Sequence, residues 1–266
     1  MGLLDARKGL HDRLPDGGLR PGSFVLGCIG RRALRPLQRR GRRSLGRRPE
    51  RPPRAVLIRA EGRVVSAGVD VHLFDDMQPE DSEEFWRHAL EIIERLETLP
   101  CPVVFAAHAL TLTAAFELAL GCDIILAARS AKFGLVENVV ALTPSMGGPA
   151  RIAERAGSGR ARELVMTGEL FGAEQLERWN IVNRVFDDEE LPDRALEMAR
   201  ALAKGPTRAH AATKEIVRGY VTDGLARADE ILPSVAGALY ASEDHRDAVA
   251  GFLEHGPRHE TPMHGR

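Results

Sequence analysis

Residues 102–123 read Pro-Val-Val-Phe-Ala-Ala-His-Ala-Leu-Thr-Leu-Thr-Ala-Ala-Phe-Glu-Leu-Ala-Leu-Gly-Cys-Asp. Two further stretches complete the passage: Ala-Lys-Phe-Gly-Leu-Val-Glu at 131–137 and Pro-Ser-Met-Gly-Gly-Pro-Ala-Arg at 144–151. Residues 103–107 form an apolar strand and residues 113–122 a short helix. Two lone carboxylates, Glu117 and Glu137, stand in strongly apolar surroundings. Burying a carboxylate costs several kcal/mol or raises its pKa. A chain that places two of them so close together needs both groups for something.

The same rhythm extends outward. Residues 55–58 are a short apolar strand closed by Glu61-Gly62. Asp81, with Glu84 three residues on, has capping-box spacing and opens a helix that runs to about Leu99. Phe85, Ala89, Ile92, Ile93 and Leu96 share one face of it, and Pro100 and Pro102 stop it. Strands follow at 123–128 and 131–134, and helices at 148–156, 159–168 and 173–180. Residues 181–186 are a late strand, and the remainder is mostly helical. Strands alternating with helices argue an α/β fold.

The bulk numbers exclude several classes. With 44% hydrophobic and 28% charged residues over 266 positions, the chain has an ordinary soluble composition and the length for a sizeable core. No run of eighteen apolar residues occurs, so no transmembrane helix and no membrane partner are expected. Arg7 and Lys8 precede no apolar signal region, so secretion is not expected. Cys28, Cys101 and Cys122 fit neither a zinc pattern nor a disulfide framework; they read as reduced thiols in a cytoplasm, with Cys122 in the core.

Charge is unevenly spread. In residues 1–54, 14 arginines and one lysine face four acids, a net +11, whereas the rest carries 22 basic and 34 acidic residues, a net −12. The first 54 residues also mix Arg pairs with Gly and Pro and show little apolar periodicity. They read as a basic arm, as a disordered segment, or as a shifted frame of a GC-rich gene. The acidic remainder argues against a nucleic-acid groove.

Together with Ser66-Ala67-Gly68-Val69-Asp70, the motifs above resemble the crotonase superfamily, the enoyl-CoA hydratases and isomerases, over about residues 54–256. The resemblance implies ββα units stacked in a spiral, with C-terminal helices that mediate trimers. The chain then divides into an atypical segment 1–54, a core 55–205 and a helical region 206–266. Family members normally open with a strand, a turn and an amphipathic helix, and none is recognisable in residues 1–54.

The resemblance also implies an activity: water added to a 2-enoyl-CoA thioester by a lyase that forms a homotrimer or hexamer. Coenzyme A is part of the substrate, and no metal or separate cofactor is expected. Glu117 and Glu137 match the catalytic glutamates. Backbone N–H groups of Val69 and Ala114 match an oxyanion hole for the thioester carbonyl, the main catalytic device of such enzymes. Ser66, Ala67, Gly68, Asp70 and Ser145 are the expected substrate-binding residues. Three departures stand out. Thr113-Ala114-Ala115 replaces a usual glycine run, Val69 replaces an alanine, and Ser145 replaces a glycine whose N–H positions the water. His108 stands where asparagine is common, and the family chemistry does not require it. Isomerisation, thioester hydrolysis, decarboxylation and a non-catalytic binding role are the alternatives.

Overall fold

The computed structural model describes residues 24–29, 35–36, 52–69, 71–74 and 77–266; the first two segments are described as paired strands only. In chain order come β1 (Phe24–Ile29), β2 (Arg35–Pro36), β3 (Ala55–Ala60), helix α1 (Pro79–Glu97), β4 (Val103–Ala107), β5 (Thr111–Leu112), α2 (Ala114–Leu120) and β6 (Ile124–Ala128). Then follow β7 (Lys132–Gly134), the 3₁₀ turn Glu137–Val140, α3 (Gly148–Ala156), α4 (Ser158–Thr167), β8 (Phe171–Gly172), α5 (Ala173–Arg178) and β9 (Arg184–Phe186). Helices α6 (Leu191–Lys204), α7 (Thr207–Asp223), α8 (Leu225–Gly237) and α9 (Glu243–His255) close the chain.

Among the described residues these strands make two sheets. In the larger, β3, β4, β6 and β9 run parallel in that order, because each crossover between them contains a helix. Every residue of β4 is buried, as expected of a central parallel strand covered on both faces. In the smaller sheet β5 pairs parallel with β7, and β8 pairs antiparallel with β7. Phe116 of α2 packs on Phe133 of β7 with ring centroids 5.1 Å apart. Burying a phenylalanine contributes about 2–3 kcal/mol, so this contact fixes α2 on the small sheet.

The sequence reading needs several corrections. It finds no strand in residues 1–54, yet β1 pairs antiparallel with β3 along its whole length, Phe24 opposite Ala60. The run Phe-Val-Leu-Gly-Cys-Ile carries the strand signal, which the surrounding arginines obscured. The rest of residues 1–51 lies outside the described residues. Helix α1 starts at Pro79 with Gln78 at the N-cap, whose side chain does not cap the helix, so the Asp81–Glu84 capping box is not formed. Proline at N1 starts the helix instead. Of the expected apolar face, Ala89 and Ile93 are buried, whereas Ile92 is 51% exposed. Residues 181–183 are bends, because Ile181 and Val182 donate to the Leu176 carbonyl before β9 begins.

Two cations tie the C-terminal helices to the core. Lys214 of α7 donates to Asp123 Oδ2 at 2.8 Å and to the Leu96 and Cys101 carbonyls at 3.2 Å. Arg54, just before β3, reaches Thr207 Oγ1 and the Gly205 and Met263 carbonyls. Helices α7 and α8 leave Val217, Tyr220, Val221, Leu225 and Leu232 exposed. Among the described residues no helix is long and apolar enough to cross a membrane.

Candidate active site

The site is built where the chain before α1 meets the start of α2. Ser66 forms a parallel bridge with Thr111, and Leu112 N–H donates to the Ser66 carbonyl at 3.0 Å. The turn then bends back on itself, with Gly68 N–H donating to Ser66 Oγ at 3.1 Å. Gly68 has φ +111°, and a β-carbon there would lie 2.2 Å from Thr113 Oγ1. Only glycine permits that conformation and that approach. The contact brings the 66–69 turn against Thr113, the residue that precedes α2. Asp70 lies outside the described residues, and Ala67 is exposed.

Thr113 takes φ 48° and ψ −124°, a backbone region that disfavours β-branched residues. Its N–H donates to the Gly134 carbonyl at 2.9 Å and its Oγ1 is buried without a hydrogen-bond partner. The pairing of β5 with β7 therefore dictates where α2 begins. Ala114, its first residue, carries an N–H that no turn of α2 can use.

Glu117 lies one turn further and is 2% exposed. Its Oε1 accepts two backbone hydrogen bonds, from Met146 N–H and Gly148 N–H, each at 2.9 Å. Burial pushes its carboxyl up from the ordinary 4.5, against the pull of those two N–H groups and of the Arg151 charge. Gly148 is required for this approach: a β-carbon there would meet Glu117 Cγ at 2.9 Å and Leu135 Cδ1 at 3.1 Å. One turn after Glu117, α2 packs closely on α1: a β-carbon on Gly121 would meet Ile93 Cγ2 at 2.7 Å.

Glu137 begins the 3₁₀ turn just after β7. Burial pushes its carboxyl from 4.5 to about 7; its own backbone N–H opposes the rise, and the neighbouring Glu117 charge adds to it. Its Oε2 is buried and accepts no hydrogen bond from the described residues. The two carboxyls thus interact electrostatically but sit in unlike surroundings. Two hydrogen bonds and a cation oppose the rise at Glu117, whereas only its own backbone N–H opposes the rise at Glu137.

Ser145 Oγ donates to the Thr143 carbonyl at 2.9 Å, so its side chain turns into its own loop. His108 Nε2 is bonded to the Gly62 carbonyl at 2.9 Å, in keeping with a role outside the chemistry. Cys122 is buried, its thiol pushed up by burial and bonded to the Leu118 carbonyl, as expected of a core residue. Among the described residues no three His, Cys, Asp or Glu side chains cluster as metal ligands would. A groove of about 1400 Å³ between α1, α3 and α7 is lined by neither glutamate, so it is not the place of the chemistry.

The profile of the enoyl-CoA hydratase/isomerase family matches residues 47–261. The chain belongs to that family. It is 30% identical to the crotonyl-CoA hydratase of Syntrophomonas wolfei over 189 residues, 71% of this chain and 72% of the relative. It is 33% identical to the 1,2-epoxyphenylacetyl-CoA isomerase of Escherichia coli K12 over 207 residues, 75% of this chain and 78% of the relative. The crystal structure of an enoyl-CoA hydratase from Bacillus anthracis superposes with a TM-score of 0.74 at 28% identity, covering 80% of this chain and 82% of that one. The fold is thus the crotonase fold.

Within this crotonase-fold chain, sequence reasoning missed the residues that hold Glu117. The Met146 and Gly148 N–H groups leave no mark in side-chain chemistry. Gly147-Gly148 was the available signal: Gly147 takes φ +89°, which turns the loop towards Glu117. The supporting ion pair between Arg151 and Glu97 spans 54 positions of sequence and has no local signature.

Proposed function

We propose that this chain hydrates a 2-enoyl-CoA thioester, acting as an enoyl-CoA hydratase-type lyase. The observation that carries the reading is a pair of raised carboxyls in unlike surroundings: Glu117 accepts two backbone N–H groups, whereas Glu137, raised to about 7, has a buried oxygen with no partner among the described residues. Glu117, ionised, takes a proton from water, and the water oxygen bonds to the β-carbon. The Val69 and Ala114 N–H groups take up the negative charge that moves onto the thioester oxygen. Glu137, protonated near neutral pH, delivers its proton to the α-carbon. Two carboxyls of unlike environment dividing acid and base roles is a recurrent solution. The proton lost from water and the proton gained by carbon balance, so the step requires no metal and no redox cofactor.

Thr113-Ala114-Ala115 stands where a glycine run is usual and Val69 where an alanine is usual; we infer from this added bulk a preference for short, unbranched acyl groups. The reading includes a homotrimer or hexamer assembled through the exposed apolar faces of α7 and α8, and a reducing cytoplasm that keeps the buried Cys101 and Cys122 as thiols.

The test is loss of conjugated enoyl-thioester absorbance with a panel of trans-2-enoyl-CoA esters. Glu117→Gln keeps an oxygen for the two N–H donors and should lower kcat by about 10²–10⁴-fold. A Glu117→Gln enzyme at wild-type rate sinks the assignment. A moved double bond without added water points to isomerisation, and CoA-ester binding without turnover to a non-catalytic homologue.

A further inference from the structure

Within electrostatic reach of Glu117 lies an ion pair that the chemistry above does not use. Arg151 of α3 donates from Nε to Glu97 Oε1 at 2.6 Å and from Nη2 to Glu97 Oε2 at 2.8 Å, a two-pronged contact with the last residue of α1. The side chains are only 19% and 29% exposed. The third arm, Nη1, donates to the Gly147 carbonyl at 3.3 Å. Gly147 leaves room for it, since a β-carbon there would lie 2.0 Å from Nη1. Gly147 separates the two residues whose N–H groups bind the Glu117 carboxylate. One guanidinium therefore grips α1 with two arms and the carboxylate-binding turn with the third. Planar, always charged and forked, arginine suits this task where lysine does not.

We propose that Arg151 and Glu97 form a positioning pair for Glu117: they fix the 146–148 turn that holds its carboxylate and set a partly neutralised cation beside it. This deepens the hydratase reading and rests on it for its catalytic consequence, but not for its physical one. The cation attracts the ionised carboxylate, and Glu97 subtracts from that attraction. Removing the two partners should therefore move Glu117 in opposite directions. Other charges lie near Glu117 or near its partner pair among the described residues. Glu137 faces it from the 3₁₀ turn. Glu94, Asp123, Glu154, Arg155, Lys214 and Arg218 share the groove with Arg151. Of these, Glu94 is paired with Arg218 and Asp123 with Lys214.

A pair that served only to hold the fold would, when broken from either side, loosen the turn and shift Glu117 the same way. Opposite shifts are therefore diagnostic. The measurement is the Glu117 carboxyl titration by carbon NMR in ligand-free protein with labelled glutamate, the resonance assigned by its loss in Glu117→Gln. Arg151→Met should raise the titration midpoint and Glu97→Gln should lower it. Glu94→Gln, which removes an α1 charge paired elsewhere, should leave it in place. In turnover, the acid limb of kcat/KM should follow the same directions, with KM little changed. Glu97→Gln keeps an acceptor for Arg151 and its fold, so its result decides even where Arg151→Met does not fold. Unchanged midpoints, shifts in one common direction, or a Glu94→Gln shift equal to that of Glu97→Gln overturn the proposal. The NMR result stands whether or not any enoyl-CoA is turned over, so failure of the hydratase reading and failure of the positioning pair are separable.

Discussion

Replacing Glu137 by glutamine should weaken catalysis and strengthen the fold, with a pH dependence that identifies the cause. In the native protein the Glu137 carboxyl titrates near 7, against 4.5 for an ordinary glutamate. A carboxyl raised in the folded state stabilises the protein at low pH, where both states are protonated. That contribution is lost as pH rises from about 4.5 to about 7, because the unfolded chain releases the proton first. At about 1.4 kcal/mol per pKa unit the full loss is about 3.5 kcal/mol. The carboxyl is partly water-facing, so screening reduces this to about 1–2 kcal/mol. Glutamine stays neutral throughout. Glu137→Gln should therefore match the wild type in urea unfolding near pH 5 and exceed it by about 1–2 kcal/mol at pH 8. Its kcat should fall by about 10²–10⁴-fold through loss of the proton donor. A variant that is no more stable at pH 8 than at pH 5, relative to wild type, refutes the raised carboxyl. A variant that gains stability and keeps its rate refutes the proton donor alone.

Two further outcomes test the surroundings. Gly148→Ala forces a methyl against Glu117 Cγ, Glu117 Oε1 and Leu135 Cδ1, the nearest at 2.9 Å. It should cost about 1–3 kcal/mol of stability as overpacking and, by displacing the carboxylate, about 10²-fold in kcat; thermal unfolding and steady-state kinetics on one preparation read both, and a full-rate Gly148→Ala contradicts the geometry. Lys214→Met leaves the Asp123 carboxylate without its cation and should cost about 3 kcal/mol in denaturant unfolding. Adding Asp123→Asn should restore part of that loss, and a single variant within about 0.5 kcal/mol of wild type would show the contact to be a surface pair.

What was legible in the sequence follows the range of the interactions. Val103–Ala107 and the short helix around Phe116 and Glu117 are fixed by local apolar patterning, so their places could be read directly, with ends off by one or two residues. The motif order carried the family, and with it the expected roles of Glu117 and Glu137. Two-residue strands such as Thr111–Leu112 and Phe171–Gly172 are too short for any period, yet they decide where α2 and the Glu137 turn sit. The N–H groups of Met146 and Gly148 belong to the backbone, which every residue shares. Their use on Glu117 is a matter of tertiary placement alone. Strand β1 was hidden for the opposite reason. Its six residues are strand-like, but the arginine-rich composition around them dominated the reading.

The departures at residues 113–115 bear directly on how the site holds its shape. In a glycine run the backbone reaches positive φ without strain, but it is also free to leave it. Thr113 sits at φ 48° at a cost of about 1–3 kcal/mol, and its buried, unpaired hydroxyl adds a desolvation cost of about 1–3 kcal/mol. Such a residue persists only where its neighbours leave it no alternative. Gly68 presses against its side chain, Gly134 accepts its N–H, and Phe116 locks the helix it begins onto Phe133. Once so held, a β-branched side chain has less freedom than glycine to relax. The strain and the raised Glu137 carboxyl thus fall in one small region, while the fully buried β4 and its neighbours supply the compensating apolar burial. Under the proposed hydratase reading, that strain would hold the Val69 and Ala114 N–H groups in place before the substrate arrives, and donors so fixed need no reorganisation as charge develops.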